Sequence, residues 1–176
     1  MKFTVTIALV FQWSAFVLAQ GNPIMTPEEM IELIPKKIEG FNLAEQHKGR
    51  MMKIGTLSYS MVERSFSKNK RKVTILLFDY NNAPIMYRQA TGKWQSQPDE
   101  ESDTLIDRSF LYEDNQGREY YRKFTNSSQI FLGINNRFYL MLTGEGVESE
   151  TLHAILRLFP LSAFLQQTDF TNAKHR

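Results

Sequence analysis

The sequence predicts an α+β protein, in which a twisted antiparallel sheet of about five to six strands is flanked by an N-terminal and a C-terminal helix. Three observations lead to this class. Helix-start residues are concentrated near residue 26, several segments between residues 54 and 143 are strand-like and separated by turn residues, and apolar residues recur at helical spacing after residue 149. Helices at both ends of a run of strands pack most simply onto one sheet.

Residues 1–19 have the composition of a secretory signal peptide. Lys2 precedes an apolar run, and the small residues Val17 and Ala19 occupy the −3 and −1 positions of a cleavage site before Gln20. The alternative is an uncleaved anchor, because about 17 apolar residues is the lower limit for crossing a bilayer. Polar residues interrupt this run and no basic stop-transfer cluster follows it. We therefore expect cleavage, a secreted or periplasmic location and no stable membrane insertion afterwards.

Residues 20–176 have the length of a single domain, with a polar tail from about residue 168. Without Lys2, 20 basic and 19 acidic side chains remain, so no strong overall field attracts nucleic acid. The chain has no cysteine, which excludes disulfides, a lipid-modified cysteine and thiolate metal sites. An exported protein without cysteine fits a bacterial envelope better than a small eukaryotic secreted scaffold.

The first helix has the clearest start signal. Thr26 can cap it, Pro27 suits the first helical position and Glu29 completes a capping box. We expect this helix to end near Ile34, because Pro35 cannot continue it.

A long hairpin follows. Residues 54 to 66 alternate as a strand, with a β-bulge expected near residue 61, where the apolar register changes face. Residues 73 to 80 are apolar on both faces, as in the middle of a covered sheet. The polar segment 67 to 72 is predicted to be the tip of this hairpin.

The second half of the sheet is predicted after a short helix over residues 84 to 91, which Gly92 closes. A polar excursion covers residues 94 to 103, and its acidic segment 99 to 103 is expected to be a solvated loop rather than a calcium site. Weaker strands cover residues 106 to 113 and 118 to 125.

The last hairpin pairs residues 129 to 134 with 137 to 143 around Asn135-Asn136, a dipeptide that tolerates the positive φ angles of a type I′ turn. A two-residue turn predicts that Leu132 faces Tyr139 and that Phe131 faces Leu140. Ser149 is expected to cap the terminal helix, whose inward residues are predicted to be Leu152, Ile155, Leu156 and Phe159.

Catalytic and metal-binding motifs are weak in this sequence. The three histidines lack metal-ligand spacing, and no serine lies in a nucleophile elbow. We therefore expect no enzymatic activity, no metal and no cofactor.

Two segments are candidates for binding a partner. The basic hairpin tip carries Lys68, Lys70, Arg71 and Lys72, which could bind an anionic lipid headgroup, a polysaccharide or an acidic partner, although charged turns also serve solubility. Tyr87 and Trp94 lie on either side of Gly92 in an expected loop region, where exposed aromatic rings favour binding unless they cover the core.

Several segments carry a resemblance to known proteins: Leu33–Pro35 with Ile38–Phe41, Ser60–Phe66, Ile75–Asp79, Asn136–Leu140 and Gly144–Val147. Spread over most of residues 30 to 165, they are similar to uncharacterised exported bacterial proteins close to the PsbP-like fold. The resemblance implies an antiparallel sheet between helices and an accessory or binding role. It implies no catalytic residues.

The leading functional expectation is a non-enzymatic envelope protein that binds another envelope protein or a surface polymer. The second is a carrier of a lipid or other hydrophobic ligand between sheet and helices, since the chain is 42% hydrophobic. The third is a hydrolase.

Signal-peptide cleavage is directly testable. Intact-mass measurement of the protein from its native host should give a chain beginning near Gln20. Recovery of a chain that still carries Met1 from the membrane fraction would contradict this prediction.

Overall fold

The computed structural model describes residues 23–164. The predicted signal peptide and polar tail lie outside the described residues. In order along the chain, the elements are α1 (Pro27–Met30), a 3-10 helix (Ile31–Leu33), β1 (Asn42–Leu43), β2 (Lys48–Ile54), β3 (Leu57–Lys68), β4 (Arg71–Asn82), α2 (Pro84–Ser96), β5 (Glu100–Glu101), β6 (Leu105–Tyr112), β7 (Asn115–Arg122), β8 (Ser127–Ile134), β9 (Phe138–Glu145) and α3 (Ser149–Leu156).

The strands form one antiparallel sheet, in the order β1-β3-β4-β9-β8-β7-β6-β5, with β2 also paired to β3. The predicted combination of helices with an antiparallel sheet is confirmed. The expected number of strands, five to six, is wrong, because residues 23–164 contain nine. The strands that were missed are β1, β2 and β5. Two of them have only two residues each, and β2 has no apolar alternation to reveal it.

The main hydrophobic core lies on one face of the sheet, termed the inner face, between the strands and the terminal helices. From the sheet it contains the buried residues Val62, Phe66, Val73, Ile75, Leu77, Ile130, Leu132, Leu140 and Leu142. The four predicted inward residues of α3 and its continuation are all buried, which confirms that helix face. Phe138 and Phe164 pack edge to face at 5.1 Å between ring centroids.

The start of α1 agrees with the sequence prediction. Thr26 accepts a hydrogen bond from the Glu29 backbone N–H, and the Glu29 carboxylate accepts one from the Thr26 N–H, so both halves of the capping box are present. The helix then tightens into the 3-10 helix, which ends at Leu33. A Cβ atom added to Gly49 would lie 2.3 Å from the Pro27 Cβ, so glycine is needed where α1 lies against β2.

The β8–β9 hairpin has a different register from the predicted one. Asn135 and Asn136 both have φ of 52°, as a type I′ turn requires. However, Leu132 faces Leu140 and Phe131 faces Met141. Arg137 is an additional residue between the turn and β9, and its carbonyl accepts a hydrogen bond from the Tyr80 N–H at 3.0 Å. The extra residue shifts the pairing by one position.

Arg137 is held by a buried ion pair with Asp79. Its Nε donates to Asp79 Oδ1 at 2.8 Å and its Nη2 donates to Asp79 Oδ2 at 2.6 Å. The same carboxylate accepts hydrogen bonds from the Met25 and Asn81 backbone N–H groups. Asp79 therefore attaches the segment before α1 to the centre of the sheet.

Three local predictions are corrected. The irregularity in β3 lies between Ser58 and Ser60 rather than near residue 61. The helix α2 continues through Gly92 to Ser96, so the predicted end at residue 91 is wrong. The N-cap of α3 is Glu148 instead of Ser149, whose hydroxyl donates to Glu119.

Part of the acidic segment 99 to 103, expected to be a solvated loop, is strand. Glu100 and Glu101 form β5 and pair with β6, while the Asp99 carboxylate accepts a hydrogen bond from the Ser109 N–H at 2.8 Å.

We predict that Asp79→Ala lowers the free energy of unfolding by about 3–5 kcal/mol, because it leaves the buried Arg137 guanidinium without its counter-charge. Urea denaturation measures the change. Asp103→Ala, at an exposed position, is the matched control and should alter stability by less than about 0.5 kcal/mol. A loss at Asp79 no larger than that of the control would contradict a structural role for the ion pair.

Candidate functional site

The outer face of the sheet, opposite the main core, is covered only in part. The helix α2 lies across β4, β9 and β8 on this side. Beyond it, residues such as Leu76, Gln129, Met141 and Thr143 stay half-buried. The edge of α2 therefore borders an open area of sheet, which is where a groove can form.

Two features fix α2 against the sheet. Pro84 occupies its first turn, and Ala83 and Tyr87 are buried against the outer face with 0% and 8% exposure. Tyr87 lies over Gly133 of β8, where an added Cβ would be 2.5 Å from the tyrosine hydroxyl. A larger residue at position 133 would push α2 away from the sheet.

An aromatic cluster lies beside α2. The Trp94 ring lies nearly parallel to Tyr139, with centroids 5.6 Å apart, and its centroid is 6.1 Å from that of Phe131. Phe78 extends the cluster, 5.9 Å from Tyr139. Such offset ring contacts stabilise a rigid apolar surface.

The cluster borders a cavity of about 500 Å³ between α2 and strands β6 to β9, termed the α2 groove. Its other walls are amides, a phenol and cations. The residues concerned are Gln89, Lys93 and Gln97 from α2 and the segment after it, Tyr120 and Arg122 from β7, and Gln129 from β8. Amides and cations around aromatic rings suit a ligand that has flat apolar faces together with hydroxyl or anionic groups.

A second buried ion pair closes one end of the groove. Arg118 Nε donates to Asp107 Oδ1 at 2.5 Å, and the guanidinium also donates to the backbone carbonyls of Gln97 and Pro98. The Gln97 amide donates to the same aspartate. These contacts fasten the segment after α2 to β6 and β7, so the groove has a preformed wall.

The phenol of Tyr139 stays protonated under physiological conditions. Burial, and next the neighbouring Tyr80, raises its pKa to about 12. Its hydroxyl is therefore neutral at the groove.

A separate polar cluster lies on the inner face beside α3. The Glu119 carboxylate, 2% exposed, contacts His153 Nε2, accepts from Ser149 Oγ at 3.3 Å and lies 2.9 Å from Arg108 Nε. A hydrolytic triad needs the serine to donate to the histidine. The serine hydroxyl donates to the glutamate instead, so the contacts resemble a helix attachment more than a nucleophile with its base.

The predicted partner-binding residues fall in two distant places. Lys68, Lys70, Arg71 and Lys72 lie at the β3–β4 turn, where Arg71 stacks over Phe41 at 5.1 Å. Trp94 contacts Tyr139, and Tyr139 pairs with Phe78 of β4. Phe78 is six residues along β4 from Lys72, so the aromatic cluster is about 20 Å from the basic tip. The structure does not bring the basic tip and the aromatic residues together.

Tyr87 and Trp94 are both in α2. Tyr87 lies within the helix predicted over residues 84 to 91, whereas the expected position of Trp94 in a loop after Gly92 is wrong. Tyr87 is buried under the helix and supports it, whereas Trp94 is half-buried and lines the α2 groove. Of the two, only Trp94 is available for direct contact with a ligand.

Sequence reasoning missed the sheet side of the groove. Arg118, Tyr120 and Arg122 alternate along β7, so they share the outer face. This alternation of cations with an aromatic ring was a usable sign. The contribution of Tyr139 was hidden, because the predicted register placed it on the same face as Leu132.

No group of three or more histidine, aspartate or glutamate side chains in residues 23–164 is arranged to hold a metal ion. None of the helices within that range is long and apolar enough to cross a bilayer.

The fold and groove define a mixed α+β protein with one partly covered antiparallel sheet. No family model matches the sequence, and no curated protein or solved structure is significantly similar to it. The geometry of the α2 groove is therefore the basis for assigning a function to the chain.

Titration of Glu119 gives a testable pH dependence. Burial acts to raise its pKa, but the hydrogen bond and charge of His153, with the charge of Arg108, outweigh burial and hold the pKa below its ordinary 4.5. A carboxylate with a lowered pKa stabilises the fold above about pH 4.5, and this contribution is lost as the pH falls through the folded-state pKa.

We therefore expect Glu119→Gln to destabilise the protein by about 1.5–3 kcal/mol near neutral pH and less in acid. Urea denaturation over a pH series measures this, with the exposed Glu100→Gln as control. A constant difference between Glu119→Gln and the unmodified chain at all pH values would refute the assignment.

Proposed function

We propose that this chain is an exported, non-enzymatic binding protein of the bacterial envelope and that its ligand occupies the α2 groove. The observation that carries the proposal is the Trp94–Tyr139–Phe131 cluster, which presents half-buried rings beside amide and cationic side chains. A rigid aromatic surface with a polar rim is a common form of ligand site.

Export and the resemblance to proteins near the PsbP-like fold are parts of the same proposal. They rest on the sequence of residues 1–19 and on the matching segments quoted above. The antiparallel sheet with helices on its inner face is compatible with that resemblance.

The groove favours a surface polymer over an envelope protein among the expected partners. Its rim offers the amides of Gln89 and Gln129 together with Lys93 and Arg122, while the Gln97 amide donates to Asp107. Arg122 lies over the Tyr120 ring at 5.3 Å. Amides bind hydroxyl groups, and cations bind carboxylate or phosphate groups. A polysaccharide segment with acidic substituents supplies both, and its ring faces can stack on aromatic side chains.

The two alternative functions have less support. A carrier needs space between sheet and helices, but Leu77 and Leu140 are fully buried there, and Phe138 packs directly on Phe164. A hydrolase needs a serine that donates to a histidine, whereas Ser149 donates to Glu119 and His153 contacts the same carboxylate.

We predict that Trp94→Ala weakens ligand capture from envelope extracts at every salt concentration, by about tenfold, because stacking depends on buried area. Immobilised protein is exposed to extract that is untreated, protease-digested or oxidised with periodate. Capture of a polymer should survive protease and be lost after periodate cleaves vicinal diols.

Two further variants are compared with Trp94→Ala. Phe124→Ala removes an aromatic ring that is 87% exposed and lies outside the groove, and it should leave capture unchanged. Replacing the four cations of the basic tip with serine should weaken capture chiefly at low salt, because salt screens charges over roughly 8–10 Å. If Trp94→Ala lowers the melting temperature by several degrees while capture is intact, the groove is not the binding site.

A further inference from the structure

The edge strand β2 is the longest strand of the described chain in which every residue is exposed. All seven of its residues are exposed, and within residues 23–164 it pairs with β3 alone. One side of its backbone is thus satisfied by β3, while the other side faces away from the sheet. A row of N–H and C=O groups along such an edge is a template for another strand.

The side chains of β2 combine apolar and basic character. Met51 and Ile54 are each 55% exposed and Met52 is 37% exposed, although apolar residues of this size usually avoid solvent. The charged residues of the strand are Lys48, Arg50 and Lys53, all of them basic. Lys48 already lies 3.0 Å from a Glu45 carboxylate oxygen and 3.9 Å from one of Glu63, so Arg50 and Lys53 are the cations of the strand that a partner can use. Apolar surface and one sign of charge are therefore presented along the same edge.

We propose that the free edge of β2 binds an extended acidic peptide segment of another protein by strand addition. The backbone of the segment would complete the unpaired side of β2, its carboxylates would face Arg50 and Lys53, and its apolar side chains would cover the methionines. This surface is separate from the α2 groove, because β3 and β4 lie between β2 and β9, the nearest strand of the groove.

The charges favour an acidic peptide over a second copy of the chain. Antiparallel pairing of β2 with its own copy would place two sets of the same three cations in one ladder. The two strands would then carry six cations and no carboxylate, and like charges held close together repel each other. An acidic segment gives attraction at Arg50 and Lys53.

The backbone favours a peptide over a lipid surface. Insertion of β2 into a bilayer would carry unpaired N–H and C=O groups into hydrocarbon, where the cost is high because they find no hydrogen-bond partner. Basic and apolar side chains also point to both faces of the strand, so neither face is purely apolar. A paired peptide strand satisfies the backbone without that cost.

The sequence of β2 specifies a probe. An antiparallel strand with glutamate opposite each cation, valine opposite each large apolar residue and threonine opposite Gly49 reads Val-Glu-Val-Val-Glu-Thr-Glu. Fluorescence anisotropy of this labelled peptide with the full chain measures binding directly.

Backbone pairing has a specific signature. Two further probes carry N-methyl groups at the odd or at the even positions, which removes the N–H donors from one edge of the peptide or from the other. Because only one edge can face β2, one probe should lose affinity by about tenfold or more, and the other should bind within about twofold of the parent. Equal behaviour of the two probes would overturn the proposal.

Charge variants test the position of the site. Arg50→Gln with Lys53→Gln should weaken binding by about three- to tenfold at low salt, since exposed ion pairs contribute modestly and are screened by salt. Lys68→Gln with Lys70→Gln removes the same charge from the basic tip and is the matched control, with no change expected. Melting temperatures should be unaltered in both variants, because all four side chains are exposed.

The other possible occupants give distinct results. If β2 instead pairs with a second copy, sedimentation would show a dimer, and Arg50→Gln with Lys53→Gln would strengthen it by removing like charges. If β2 instead binds a membrane, the chain would co-sediment with vesicles of neutral or anionic lipid. Either result in the absence of peptide binding would refute strand addition by an acidic segment.

Discussion

The ion pair between Asp79 and Arg137 is the interaction on which the rest of the structure depends. It joins three parts of the chain that are far apart in sequence, because Asp79 also accepts the Met25 N–H and Arg137 donates to the Pro23 carbonyl. Two buried charges are costly to desolvate, so such a pair persists only when its hydrogen bonds are nearly complete. Here both carboxylate oxygens accept two hydrogen bonds each.

The same pair determines the geometry of the α2 groove. The extra residue at Arg137 places Gly133 opposite Tyr139, and both lie on the outer face. Gly133 leaves room for Tyr87, which lets α2 approach the sheet, and Tyr139 becomes the ring on which Trp94 stacks. With the shorter connection, Tyr139 would share a face with Leu132 in the main core. The shape of the groove thus depends on the buried Asp79 carboxylate in β4, the strand next to β9.

Local signals in the sequence predicted the elements with strong boundaries. The capping box at Thr26, the Asn135-Asn136 turn and the apolar face of α3 are all present, because each depends on residues within one turn of helix or hairpin. The register of β9 could not be predicted in this way, since it depends on Asp79, 58 residues from Arg137 in sequence. Gly92 likewise indicated a helix end, but packing of Trp94 on the sheet continues α2 past it.

The candidate site was predicted only in part for the same reason. Trp94 could be identified as an unusual ring outside the core pattern, whereas its neighbours come from β8 and β9 and meet it only through the tertiary fold. The β2 edge gave no sequence signal, because a strand that is exposed on both faces lacks apolar alternation. β2 and β9, the nearest strand of the groove, are three strands apart in the sheet, so the edge and the groove are separated by about 14 Å. At that distance substitutions at the two surfaces act independently on folding, and any coupling between them in binding requires one partner that spans both.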